Sequence, residues 1–197
     1  APARHEPGAG AALGRVGGRR TRADAAARSV VRIRPATTAD FDAILALNEE
    51  SVAALSPLTR ERLAALDACA ALHLVVEDDA RVIAFLLALR EGAAYDSPNY
   101  RWFTQRYERL LYVDRVVVSS AARGRGAGAR LYEALFGFAA TQSVGLVTCE
   151  YDLEPPNPAS EKFHARFGFS EVGRQRLDGG KLVSLQASHA ARAWLGD

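Results

Sequence analysis

The stretch Arg123-Gly124-Arg125-Gly126-Ala127-Gly128, followed by Ala129 and Arg130, packs three glycines and two arginines into six residues. Glycines let a backbone turn sharply and approach a ligand with no Cβ in the way. Elsewhere, Asp114 and Glu150 interrupt otherwise apolar runs, where an unpaired charge is costly. Carboxylates in such places have a partner or a function. For Asp114 the structural alternative is an ion pair with Arg115 or Arg101.

The segments around the glycines show how they would be held. Leu111 to Val118 is an apolar strand candidate ending in the β-branched run Val116, Val117 and Val118. A helix follows the loop, with Leu131, Leu135 and Phe138 recurring at helical spacing. The first-turn N–H groups of that helix have no partner inside it. With the helix dipole they form an anion site, and Arg123, Arg125 and Arg130 add positive charge. The guest that suits such a site is a pyrophosphate. The dinucleotide fingerprint fails on spacing, because the glycines run G-x-G-x-G, and the G-K-[ST] of a nucleotide-triphosphate loop is missing. Arg123, Gly126 and Gly128 instead form R-x-x-G-x-G, five residues after a strand valine. This resembles the coenzyme A loop of the GNAT superfamily of acyl-CoA-dependent N-acyltransferases.

Downstream, Asn157 to Phe169 (NPASEKFHARFGF) is similar to the other landmark of that superfamily, an Asn and a small residue followed by an aromatic-Tyr pair and Gly-Phe. The resemblance spans Val30 to Gln186. It implies a mixed α/β (α+β) fold: a mostly antiparallel, twisted sheet of six to seven strands with helices on both faces. A central parallel pair of strands would be splayed around acetyl-CoA. It implies that the backbone of Val116, Val117 and Val118 pairs with the pantetheine amides. Arg123, Gly124, Arg125, Gly126, Ala127, Gly128 and Ala129 would take the pyrophosphate, and Asn157, with Ser160, would lie along the pantetheine arm. No metal is expected.

The implied reaction is direct attack of an amine on the thioester carbonyl. It needs a base for the amine and a proton for the departing thiolate. Glu150 and Asp114 are the candidates for the base, with Glu150 preferred. At the position of the family's proton-donating tyrosine stands His164, a group that titrates near neutrality. The expected activity is acetyl transfer to a primary amine of a small molecule or peptide. The alternative is an acyl-CoA-binding sensor without turnover, which the His164 replacement keeps open. A homodimer is implied by family analogy alone.

Length and composition bound the rest. The 197 residues suggest one folded domain. Residues 1–28 hold six arginines against Glu6 and Asp24 and almost no large apolar side chains, so a disordered tail is expected there. An organellar transit peptide is the weaker reading. The folded part, 29–197, is mildly acidic, and nothing in it suggests a nucleic-acid partner. No apolar run approaches a membrane span. Cys69 and Cys149 do not make a disulfide framework and suit a reducing, cytoplasmic setting.

In chain order, strands are expected at 30–34, 72–76, 81–90, 111–118, 145–151, 169–177 and 181–186. Helices are expected from Thr37, from Thr59, after the glycine loop, and from Pro158. A turn is expected at Glu77-Asp78-Asp79. Residues 91–110 read as a connection dense in aromatics. Tyr100, Trp102 and Tyr107 are its candidate acceptor-binding residues, and a small satellite core is the structural alternative.

Overall fold

The computed structural model describes residues 31–52 and 55–190. The tail expected at 1–28 lies outside the described residues. Seven strands form one sheet in the order β1-β2-β3-β4-β5-β7-β6. They are β1 Val31–Pro35, β2 Leu72–Asp78, β3 Arg81–Arg90, β4 Leu111–Val118, β5 Leu146–Glu154, β6 Ser170–Arg176 and β7 Leu182–His189. Every neighbouring pair is antiparallel except β4 and β5, which run parallel. Among the described residues five α-helices cover the sheet: α1 Phe41–Glu49, α2 Arg60–Cys69, α3 Pro98–Thr104, α4 Ala127–Thr141 and α5 Pro158–Ala165. This is the mostly antiparallel sheet of six to seven strands, with one parallel pair, that the resemblance implied.

Period-two alternation builds two cores. On β3, Ala84, Leu86 and Ala88 face α4, where Leu131, Tyr132, Leu135, Phe136 and Ala139 are buried. Phe85, Leu87 and Leu89 face the other way, against Phe41, Ile44 and Leu47 of α1, Leu63 and Leu66 of α2, and Phe103 of α3. β3 is thus apolar on both faces because helices cover both. Each fully buried Leu or Phe contributes about 1.5–3 kcal/mol relative to exposure.

Local chemistry sets the element ends. Thr59 Oγ1 accepts from Arg62 N–H at 3.2 Å and opens α2. Asp40 opens the turn before α1 by accepting from the N–H and hydroxyl of Thr37 at 2.8 and 2.9 Å. The same carboxylate takes a bidentate pair from Arg34 at 2.7 and 2.8 Å, and that guanidinium holds it far below the usual carboxylate range.

Several boundaries differ from expectation. The β2–β3 turn is Asp79-Ala80, both at positive φ (48° and 63°), so Glu77 and Asp78 belong to β2. That is the two-residue hairpin whose twist matches its strands. Pro35 is paired with Leu74 rather than ending β1 before it. The helix expected from Thr37 begins as a 3-10 turn at Thr38–Asp40, and α1 proper runs Phe41–Glu49. β5 continues through Asp152 to Glu154, past the expected end at 151, because Val183 and Leu182 of β7 pair with it. The connection 91–110 contains α3, opened by Ser97 Oγ, which accepts from Tyr100 N–H, and by Pro98 in the first turn.

Candidate active site

The site begins where β4 and β5 part. Only Leu111 with Val147 and Tyr112 with Thr148 are in register between them. Beyond these residues β4 follows β3 and β5 follows β7. Asp114 is the extra residue of a bulge: Leu87 faces Arg115 and Ala88 faces Val113, so Asp114 has no opposite number. A bulge bends its strand and increases the local twist, which turns β4 away from β5. The last part of β4, Val116 to Val118, therefore carries backbone groups without a β5 partner. Val116 and Val118 turn toward the α4 core and Val117 toward the α1 core.

The glycine loop caps this opening. Gly124 and Gly126 sit at φ 76° and 82°, the left-handed region that a side chain enters only with strain. Gly126 immediately precedes α4. A Cβ placed at Gly124 or Gly126 would meet nothing within 4 Å. Gly128 is different, since its Cβ would lie 3.3 Å from the Phe163 ring. Its glycine allows α4 and α5 to pack closely. Open space at two left-handed glycines, next to the unpaired N–H groups of Ala127, Gly128 and Ala129, fits a pyrophosphate. The loop is anchored at both sides. Glu50 accepts from Ser120 N–H and Oγ at 3.0 and 3.2 Å. Arg125 reaches Asp78 at 2.8 Å, so one of the three arginines expected at the anion is tied to the β2–β3 hairpin.

Glu150 lies on β5 two residues past its last pairing with β4. Its Oε1 accepts from Asn99 Nδ2 and from the Tyr112 hydroxyl, both at 2.9 Å. Its Oε2 is closed from solvent and has no hydrogen-bond partner. Burial pushes this carboxyl up to about 8, against the opposing pull of the Asn99 and Tyr112 hydrogen bonds. It can therefore change protonation state close to neutral pH, as a general base must.

Asp114 is differently occupied. Arg115 Nε donates to its Oδ2 at 2.6 Å and the Tyr95 hydroxyl donates to its Oδ1. The two charged side chains are 3% and 6% exposed, so this is a buried ion pair. Arg115 continues to Asn48 Oδ1 at 2.8 Å, which links the bulge to α1.

His164 is buried on α5. Ser160 C=O can only accept, so Nδ1 carries the proton and donates to it at 2.7 Å. Nε2 is then the acceptor for the Tyr132 hydroxyl, also at 2.7 Å. Ser160 Oγ lies 3.2 Å from Nδ1. The rings of Tyr132, Tyr151, Phe163 and Phe169 surround the imidazole. Burial lowers its proton affinity, so it sits neutral. Asn157 opens α5, its Oδ1 accepting from Ser160 N–H at 3.1 Å. Burial raises the Cys149 thiol well above its ordinary range, which leaves no thiolate for nucleophilic work.

The three aromatics expected at an acceptor are engaged in packing. The Tyr100 hydroxyl donates to Arg90 C=O at 2.7 Å and accepts from Ala93 N–H at 2.8 Å. Trp102 lies over Gly173, where a Cβ would come within 2.6 Å of its ring, and carries the Arg106 guanidinium at 4.0 Å. Tyr107 packs against the α1-side core. The site also contains Asn99, Tyr112 and Gln175, which sequence reasoning did not single out. The signal for Asn99 was its place directly after Ser97-Pro98, a helix-start pattern like Asn157-Pro158.

The seven-stranded fold with its split parallel pair has the architecture of the GNAT family, and comparison with known proteins agrees. The Acetyltransferase (GNAT) family model matches residues 41–169, and the chain belongs to that family. A phosphinothricin N-acetyltransferase of Streptomyces coelicolor is 42% identical over 67 residues, which is 34% of this chain and 38% of that protein. The chain thus matches well under half of the length of this curated relative. Among solved structures, Ard1 from Thermoplasma volcanium superimposes with a TM-score of 0.68 at 14% identity, covering 81% of this chain and 97% of that one. The protein yncA from Salmonella typhimurium, solved with its cofactor acetyl-CoA, gives a TM-score of 0.64 at 21% identity, covering 86% and 99%. These likenesses show the same fold. Among the described residues, no helix is long and apolar enough to cross a membrane.

Proposed function

We propose that this protein transfers an acetyl group from acetyl-CoA to a primary amine of a small molecule or peptide. The carrying observation is Glu150 Oε2, a buried and unpartnered carboxylate oxygen just beyond the point where β4 and β5 part. Acetyl-CoA, when bound, supplies an activated thioester acyl group. Val116 to Val118 offer it strand-like backbone pairing. Gly124 to Ala129 hold its pyrophosphate, and Arg123 and Arg130 add charge. Asn157 and Ser160, at the start of α5, would lie along its pantetheine arm. Glu150 takes a proton from the incoming amine, which becomes the nucleophile. The carbonyl carbon gains a C–N bond and loses its C–S bond; the nitrogen gives up a further proton to solvent as it becomes an amide, and coenzyme A leaves with a proton as the free thiol.

Asp114 holds Arg115 and the bulge, and so shapes the opening rather than moving protons. The expected proton donor, His164, has its only proton committed to Ser160 C=O. A holding role for α5 fits that geometry better than delivery to the thiolate, and solvent then supplies that proton. A sensor without turnover would have no use for a carboxyl poised near neutrality at the strand split.

A panel of primary amines, including phosphinothricin and short peptides, tests the reading by release of free coenzyme A thiol. Turnover with at least one amine is expected. Tight coenzyme A binding with no thiol release across the panel would support the sensor instead.

A further inference from the structure

The Glu150 carboxylate is locked by a chain of side chains drawn from three other elements. Gln175 Nε2 on β6 donates to Asn99 Oδ1 at 3.0 Å. Asn99 Nδ2 on α3 donates to Glu150 Oε1 at 2.9 Å. The Tyr112 hydroxyl on β4 donates to the same oxygen at 2.9 Å. Asn99 is 5% exposed, so its amide has little water to turn to. Its orientation is set at both ends: a flipped amide would aim Oδ1 at a carboxylate and Nδ2 at a donor. An isolated carboxylate could turn either oxygen toward a substrate. Two donors on Oε1 leave Oε2 as the one oxygen without a partner.

Resting on the reading of Glu150 as the base, we infer that Asn99, oriented by Gln175, is a positioning residue that reserves Glu150 Oε2 for the substrate proton. The same hydrogen bond steadies the ionised carboxylate against burial. Other groups facing Glu150 are Tyr95 and Asp114, the latter neutralised by Arg115. Asp152 on the same strand also faces it, paired with Lys181 at 2.8 Å. Cys149 and Tyr132, both buried, feel its charge from the α4 side. None of these donates a hydrogen bond to the Glu150 carboxylate, so Asn99 and Tyr112 alone fix its rotation.

The experiment measures kcat and kcat/KM against pH for wild type, Asn99→Ala, Asn99→Ser and Gln175→Leu. Each substitution is also made in a Glu150→Gln background, with thermal melts as the folding control. Losing a donor to a charged group moves the basic form's appearance upward by about one pH unit or more. Asn99→Ala is therefore expected to lower kcat at pH 7 by roughly tenfold or more and to shift the rising limb to higher pH. The KM for acetyl-CoA should stay unchanged. Gln175→Leu should act in the same direction with a smaller shift. In Glu150→Gln neither substitution should cost further rate. The inference is overturned if Glu150→Gln is slow but folded Asn99→Ala and Gln175→Leu keep the wild-type limb, or if their losses persist undiminished without Glu150. If Glu150→Gln is itself silent, the base assignment fails and the inference falls with it.

Discussion

The Tyr112 hydroxyl donates to Glu150 Oε1 at 2.9 Å across the point where the parallel strands separate. Tyr112 is the last residue of β4 in register with β5, facing Thr148, and Glu150 stands two residues beyond that partner. The bond joins the two strands by a side chain where backbone pairing has ended. It also ties Glu150 to the split: the proposed base is held where the two strands part.

The conformation of Gly126 should be needed for cofactor affinity. At φ 82° a β-branched residue is strained whatever space surrounds it. Gly126→Val is expected to weaken coenzyme A binding tenfold or more, about 1.4 kcal/mol, in a folded protein. Isothermal calorimetry with coenzyme A reads this directly. Unchanged affinity would move the pyrophosphate elsewhere.

Asp114 should matter to stability before it matters to chemistry. Asp114→Asn leaves the Arg115 guanidinium buried without its counter-charge, and breaking a buried pair from one side costs about 3–5 kcal/mol. Urea denaturation should show that loss, whereas Glu150→Gln should leave stability near wild type. Equal stability of Asp114→Asn and wild type would show that the pair does not hold the bulge.

Much of this was legible in the residues, and the reason lies in local signals. The Val116–Val118 run, the glycine loop and the Asn157-Pro158 helix start each declare themselves within a few positions. β3 was bounded correctly because its apolar run ends in arginines at both sides. α3 was missed although Ser97-Pro98 is a helix-start signal, because the aromatics that follow drew the reading toward a binding loop. Tyr100 and Phe103 of this segment pack into a core, the structural alternative named for it. The Asp114–Arg115 alternative was visible as two adjacent charges. The Asn99–Glu150 bond was not, since those residues lie 51 positions apart and only the sheet order brings them together. The extent of β5 depended equally on β7, whose pairing carries it past residue 151 to Glu154.

His164 should report on folding rather than on proton delivery. Its imidazole is neutral when folded, and burial lowers its proton affinity below the ordinary value of 6.5. The unfolded chain therefore binds more protons, so stability is full above about pH 6.5 and is lost as pH falls toward the folded value. His164→Phe should flatten that part of the stability–pH curve. It should also cost about 1–3 kcal/mol at pH 7, because the buried Tyr132 hydroxyl loses its partner. Thermal melts from pH 5 to 8 measure both, and kcat should change only a few-fold. A large loss of kcat in a stable His164→Phe, restored by His164→Tyr, would return the proton-donor role to this position.

The role of Glu150 is tested most directly by kcat/KM against pH for wild type and Glu150→Gln with one working amine. A base whose carboxyl titrates at about 8 makes the wild-type rate climb with pH through that value, since only the ionised form accepts a proton. Glu150→Gln should fall by about 10²–10⁴ at pH 7. Its remaining activity should follow the amine's own ionisation at higher pH. Profiles that coincide in height and shape would contradict the account, because the amine would then lose its proton without Glu150.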